Sequence, residues 1–226
     1  MFPKDFSAFL NSISKNSLRV LDASITKYTA IDLSELNEFL NKVDMYSSSK
    51  LEVFVNNHIK INNAQTAYGG YLEIRNIYKR SNHFNSQAKE ERNIHLGIDL
   101  WCDNETPIFA PLNGTVHSFK NNTNYGDYGP TIILKHNISG VEFYTLYGHL
   151  SLASIENLKL NQVFKQGEQI ATLGDALVNG DYPPHLHFQI IKDIQNYSGD
   201  YPGVCSGKDL EFYKANCPNP DLLLNI

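Results

Sequence analysis

The chain has 226 residues and a formal net charge of −5 at neutral pH, from 19 Lys and Arg against 24 Asp and Glu. That length buries a core without covalent staples, and the scattered charges exclude a basic stripe that would track nucleic acid or an anionic membrane. No stretch approaches the roughly 20 apolar residues that span a bilayer.

The opening segment, MFPKDFSAFLNSISKNS, places Asp5 and several polar residues where a secretory signal needs an unbroken apolar run. No signal peptide is read, so a cytoplasmic location is expected, with a secreted or periplasmic one as the alternative. Residues 1–70 are expected to form an N-terminal helical or irregular appendage. Within it, IDLSELNEFLNKVDMY predicts an amphipathic helix, N-capped by Ser34, with Leu36, Phe39, Leu40 and Val43 at helical spacing.

From about Tyr71 the pattern changes. Aromatic and β-branched residues alternate with polar ones, broken by Gly, Pro, Asn and Asp, in TPIFAPLNGTVHSF, TIILKHN, VEFYTLYGHL, EQIATLG and HLHFQII. This predicts a mostly β domain over residues 71–192, an antiparallel sandwich or barrel-like core. Asn113-Gly114 is a turn signal, and Asn137 to Gly140 predicts a hairpin loop. Residues 193–226 read as an irregular tail on the core, ending in the apolar anchor Leu222 to Leu224. The cysteines, Cys102, Cys205 and Cys217, are odd in number and lack a CxxC pair; they read as reduced thiols, although Cys205 and Cys217 can pair in the tail.

Three patterns carry chemistry. In HLHF, His185 and His187 are two apart on a strand and project to one face, opposite Leu186 and Phe188. In HLGIDLW, His95 and Asp99 share a face, but a straight strand would separate them by roughly 13 Å, too far for ligand bonds of about 2.0–2.2 Å. The chain must bend, and Gly97 is where a bend or a close approach costs least. In YTLYGHL, Gly148 marks a strand end and places His149 beside the turn. Alone, each pattern also fits an ordinary surface or hydrogen-bonded His. Together they supply two imidazoles and a carboxylate, the donor types of catalytic zinc sites, and two further imidazoles.

The order HxGxD, YGHL and HLHF, with FAPLNGTV after the first motif and a G-E-x-I-A-x-x-G segment before the last, resembles the lysostaphin/LytM family of zinc endopeptidases. The likeness covers residues 92–192. It implies one Zn2+ held by His95, Asp99 and His187, with His149 and His185 flanking the attacking water. It also implies a peptide or small amide as substrate, without nucleic acid or membrane; it leaves the oligomeric state open. The sequence departs from the family in the loop before the last motif, where NGDYPP replaces a run of Ser, Thr and Gly and puts Tyr182, Pro183 and Pro184 at the rim of the cleft. Gln189 stands where a Glu is usual. Flanking YGGYLEIRNIY and YPGVC resemble a cytosolic branch of the family.

A zinc hydrolase cleaving an amide is therefore the leading expectation. A site adapted to binding, or a hydrolase of small amides that spares peptidoglycan, is the alternative. A phosphocarrier on a related scaffold is disfavoured by Asp99, whose charge would repel a phosphohistidine. His58, His83, His117 and His136 fall outside the motifs and are left out of the site.

Overall fold

The computed structural model describes residues 3, 5–14, 18–85 and 90–226. Parts of the opening segment read against a signal peptide, residues 1, 2, 4 and 15–17, lie outside the described residues, as do residues 86–89. Twelve strands are present among those described. They are β1 (Tyr28–Ala30), β2 (Thr66–Gly69), β3 (Ile94–His95), β4 (Ile98–Trp101), β5 (Pro107–Phe109), β6 (Gly114–Asn122), β7 (Gly129–Ile138), β8 (Val141–Gly148), β9 (Val163–Phe164), β10 (Gln169–Thr172), β11 (His185–Ile191) and β12 (Val204–Cys205).

Eight of these strands form one sheet in the order β1-β2-β4-β11-β8-β7-β6-β9, antiparallel except for the β1–β2 pair; β5–β10 and β3–β12 are separate ribbons. The architecture is β-rich and open, not a closed barrel. β1 and β2 come from the N-terminal 70 residues, so the sheet runs through that region without a break. The β7–β8 hairpin closes through Ser139 and Gly140, both at positive φ, as a two-residue turn requires. Asn113-Gly114 leads into β6 but closes no hairpin, because β5 pairs with β10. The missing Cβ of Gly114 instead makes room for the His136 ring, 2.8 Å away.

The period-two alternation of β4 and β11 sets the core. Ile98, Leu100, Leu186, Phe188 and Ile190 enter the main apolar cluster, and the alternate residues face the other way. All seven residues of β11 are buried, because the tail covers the second face with Tyr201, Ile194 and Cys217. That tail is partly regular: β12 and the helix Leu210–Asn216 belong to it, and Leu223 and Leu224 anchor in the main core. All three cysteines are free thiols.

The amphipathic helix expected over Ile31–Tyr46 does not form. Only a 3-10 turn, Glu38–Lys42, is present; Asn37, not Ser34, caps it, and Leu36 and Phe39 are 84% and 75% exposed. The Asp32 carboxylate accepts from Ser34 N, and the Asn37 amide donates to Asp32 O, so short polar side chains capture the backbone before a helix nucleates. The helices of this region are α1 (Phe6–Ile13), capped by Asp5, and α2 (Ser48–Ile61), capped by Ser47. Among the described residues no helix is long and apolar enough to cross a membrane.

Candidate active site

The register of β4, β11 and β8 assembles the site. His187 lies directly opposite Asp99 on one neighbour and Gly148 on the other, and His185 lies opposite Trp101. The chain breaks between β3 and β4 at Leu96-Gly97, turning His95 back toward Asp99. Gly97 is needed for contact as much as for the bend: a Cβ there would lie 2.5 Å from the His187 ring.

His95 Nε2 and His187 Nδ1 lie 2.8 Å apart, and each is 3.3 Å from Asp99 Oδ1. All three residues are buried. The outer atoms of both rings are committed: His95 Nδ1 donates to the Gly70 carbonyl at 2.9 Å, and His187 Nε2 donates to Gln189 Oε1 at 2.9 Å. Both inner nitrogens therefore present lone pairs to each other and to a carboxylate oxygen that has no hydrogen-bond partner. Three converging acceptors repel one another unless a cation lies among them, so the donor set fits a metal ion.

Residues behind these three side chains hold them. Arg75 Nη1 donates to Asp99 Oδ2 at 2.5 Å, and Arg75 Nε donates to Glu73 Oε2. Gln189 Nε2 donates to Pro202 O and Cys217 Sγ, which fixes the amide so that its oxygen faces His187. Burial opposes ionisation of Asp99, but the His95 ring and the Arg75 guanidinium beside it outweigh it, holding the carboxyl well below the usual range. Burial pulls His95 down to about 4, against the attraction of Asp99. The ring is thus neutral and ready as a ligand.

His149 and His185 sit side by side, ring centroids 4.1 Å apart. His149 Nδ1 donates to Asn179 O at 2.7 Å, and His185 Nδ1 donates to Pro183 O at 2.8 Å, leaving both Nε2 atoms as bases. His185 Nε2 is 3.9 Å from Asp99 Oδ1, and its ring stacks on Trp101. Burial lowers His185 to about 4 and drives His149 well below its ordinary value. His149 adopts φ +62, a left-handed conformation, held by bonds from its N–H to Tyr128 O and from Gly174 N to its carbonyl.

These five side chains border a cavity of about 190 Å³. The N-terminal region, taken as the chain before β3, supplies much of its wall, with Leu33, Met45, Leu51, Ile77 and Tyr78. Tyr182 is 5% exposed and lines this cavity. Pro183 is buried and acts through its carbonyl, and Pro184 is half-buried. Arg75, Tyr128 and Trp101 also border the cavity and carry no motif signal in the sequence. Arg75 stands in the flanking YGGYLEIR run, where only contact with Asp99 across the fold reveals its role. Of the histidines left out, His136 is buried between Asn113 O and Thr145 Oγ1, and His58 and His117 lie apart from the cavity. His83 is at the cavity edge, 3.5 Å from Asp127.

Residues 93–198 match the model of Peptidase family M23. A curated relative, an uncharacterized metalloprotease of Haemophilus influenzae, is 32% identical over 116 residues. That match takes in 50% of this chain but only 22% of the relative. The catalytic domain of lysostaphin from Staphylococcus simulans is 25% identical, covering 69% of this chain and 96% of that one, with a TM-score of 0.40. A putative M23 peptidase from Pseudomonas aeruginosa is 22% identical, covering 57% and 43%, with a TM-score of 0.39. Residues 93–198 of this chain are therefore similar to metallopeptidases of family M23.

Proposed function

We propose that the chain is a zinc-dependent hydrolase that cleaves an amide bond in a compact, soluble substrate. The observation that carries this is the convergence of His95 Nε2, Asp99 Oδ1 and His187 Nδ1, within 4.8 Å of one another, beside two further histidines with free Nε2 atoms. Zinc bound there supplies an electrophile for the scissile carbonyl oxygen and a nucleophile at neutral pH. The match of residues 93–198 to a peptidase family supports the choice of a metal-dependent hydrolase.

The remaining work falls to this chain's own residues. No side-chain carboxylate besides Asp99 stands among the five, so His149 or His185 takes the proton of the attacking water at Nε2 and returns it to the leaving amine. Between those two transfers the protonated ring faces the developing oxyanion. Burial keeps both rings neutral near pH 7, so Nε2 is unprotonated and open to a proton.

A compact substrate is supported by the cavity, small beside the roughly 300–1,000 Å³ of pockets for drug-sized ligands. Trp101 Nε1, on a side chain that borders it, is a buried donor without an acceptor and suits a substrate oxygen. The free thiols fit action in the cytoplasm. Elemental analysis should find one zinc per chain, lost in Asp99→Ala and His187→Ala; a zinc-free wild type, or full zinc in both variants, overturns the metal assignment. Zinc-loaded protein should then hydrolyse short soluble amides in preference to intact sacculi. Efficient solubilisation of sacculi overturns the substrate reading and leaves the zinc hydrolase standing.

A further inference from the structure

Arg80 lies outside the segment that matches the peptidase family, at the end of the 3-10 turn Asn76–Arg80, with its side chain 3% exposed. Its guanidinium reaches across the fold to the loop that precedes β11. Nη2 donates to Asp181 O at 2.7 Å and Gly180 O at 3.3 Å, and Nη1 to Asp181 Oδ2 at 3.3 Å. Its plane covers the Tyr182 ring at 4.3 Å and the Tyr125 ring at 5.0 Å. Ser48 Oγ, also from the N-terminal region, donates to Asp181 Oδ1.

This loop carries both carbonyls that orient the unligated histidines. Asn179 O accepts from His149 Nδ1, and Pro183 O accepts from His185 Nδ1, so the two acceptors bracket the residues that Arg80 grips. The loop does not hold this shape by regular pairing: Gly180 and Asp181 both have positive φ, a conformation that a non-glycine residue keeps only where its surroundings impose it. Within the loop, the Asn179 side chain bonds Tyr182 O and Tyr182 N. The Tyr182 hydroxyl donates to Gly126 O. Beside the Ser48 bond, Arg80 ties the crest of the loop to the chain before β3 by a planar fork, which a Lys would not reproduce.

We propose that Arg80 is a positioning residue: by clamping Gly180 to Tyr182 it fixes His149 and His185 in the tautomer and ring orientation that presents Nε2 to the reacting atoms. The three residues that would hold zinc lie on β3, β4 and β11, outside the loop that Arg80 grips. The N-terminal region thereby becomes part of the catalytic apparatus without touching the reaction. Its effect on turnover rests on the hydrolase reading above; its effect on the rings does not.

The test is long-range proton–nitrogen NMR of the full chain labelled with ¹⁵N-histidine, zinc-free and zinc-loaded, with signals assigned through His149→Gln and His185→Gln. In the wild type both rings should be single Nδ1–H tautomers. In Arg80→Met, both should show mixed tautomers or exchange broadening while zinc stays at the wild-type level. Arg80→Lys should show the same change in weaker form, and it decides the matter if Arg80→Met does not fold. On any amide that the wild type cleaves, kcat should fall roughly 10–100-fold with little change in KM. Single Nδ1–H tautomers for both rings in a folded Arg80 variant overturn the proposal. So does loss of zinc together with ring order in Arg80→Lys, which would make Arg80 a support of the whole site. Neither result bears on whether the protein hydrolyses amides.

Discussion

Arg75 Nη1 donates to Asp99 Oδ2, and this leaves Asp99 Oδ1 turned toward His95 and His187. One arginine thus decides which carboxylate oxygen faces the metal position. Outer partners of this kind typically contribute 10–100-fold to metal affinity. Arg75→Lys keeps the charge but cannot bridge Glu73 and Asp99 with the same planar fork. Chelator competition should show zinc bound about 10–100-fold more weakly in this variant; unchanged affinity would separate Arg75 from the metal site.

Gly97→Ala tests the close approach. The added Cβ would lie 2.5 Å from His187 and 2.8 Å from Phe188 O, where neither a core strand nor a ligand ring has room to yield. Overpacking of this kind costs about 1–3 kcal/mol. The variant should retain its β-sheet circular dichroism, melt at a lower temperature and bind less than one zinc per chain. Full zinc content with an unaltered melt would show that the ring can move aside.

His149→Ala should keep stoichiometric zinc and lose turnover by about 10²–10⁴-fold, because His149 accepts no ligand role in the cluster yet presents Nε2 beside it. Paired measurement of metal content and rate on one soluble amide distinguishes this from a metal ligand. Loss of zinc would move His149 into direct coordination.

Acid stability should report the buried histidines. Burial lowers His136 to about 4, whereas an unfolded His titrates near 6.5. Between those values the unfolded chain binds a proton that the folded chain does not, so unfolding free energy falls as the pH falls. His136 alone contributes up to about 1.4 kcal/mol per pH unit, and His95 and His185 act in the same direction. Urea unfolding of zinc-free protein from pH 7 to pH 5 should show this loss, with a shallower slope in His136→Gln. Equal slopes would mean that His136 is protonated in the fold.

The sequence by itself determined the parts of the site whose information is local. Alternation put His185 with His187 and Asp99 away from Ile98 and Leu100, and the bend at Gly97 followed from distance alone. The same pattern indicated the β-rich core and a hairpin loop over Asn137 to Gly140, which the strand pairing narrows to Ser139-Gly140. Strand periodicity survives in these places because the side-chain period of two and the core face agree. Only the tertiary structure decided what depends on contacts between distant segments. Arg75 meets Asp99 across 24 residues, Arg80 meets Asp181 across 101, and the hydroxyl of Tyr128 lies 3.4 Å from His187 across 59. An arginine or tyrosine on the surface and one sealed against a ligand look the same in a string of residues. The Ile31–Tyr46 segment failed for the converse reason: its helical spacing was present, but the local bonds of Asp32 and Asn37 captured the backbone, and the surrounding fold offered no face for Leu36 and Phe39 to bury.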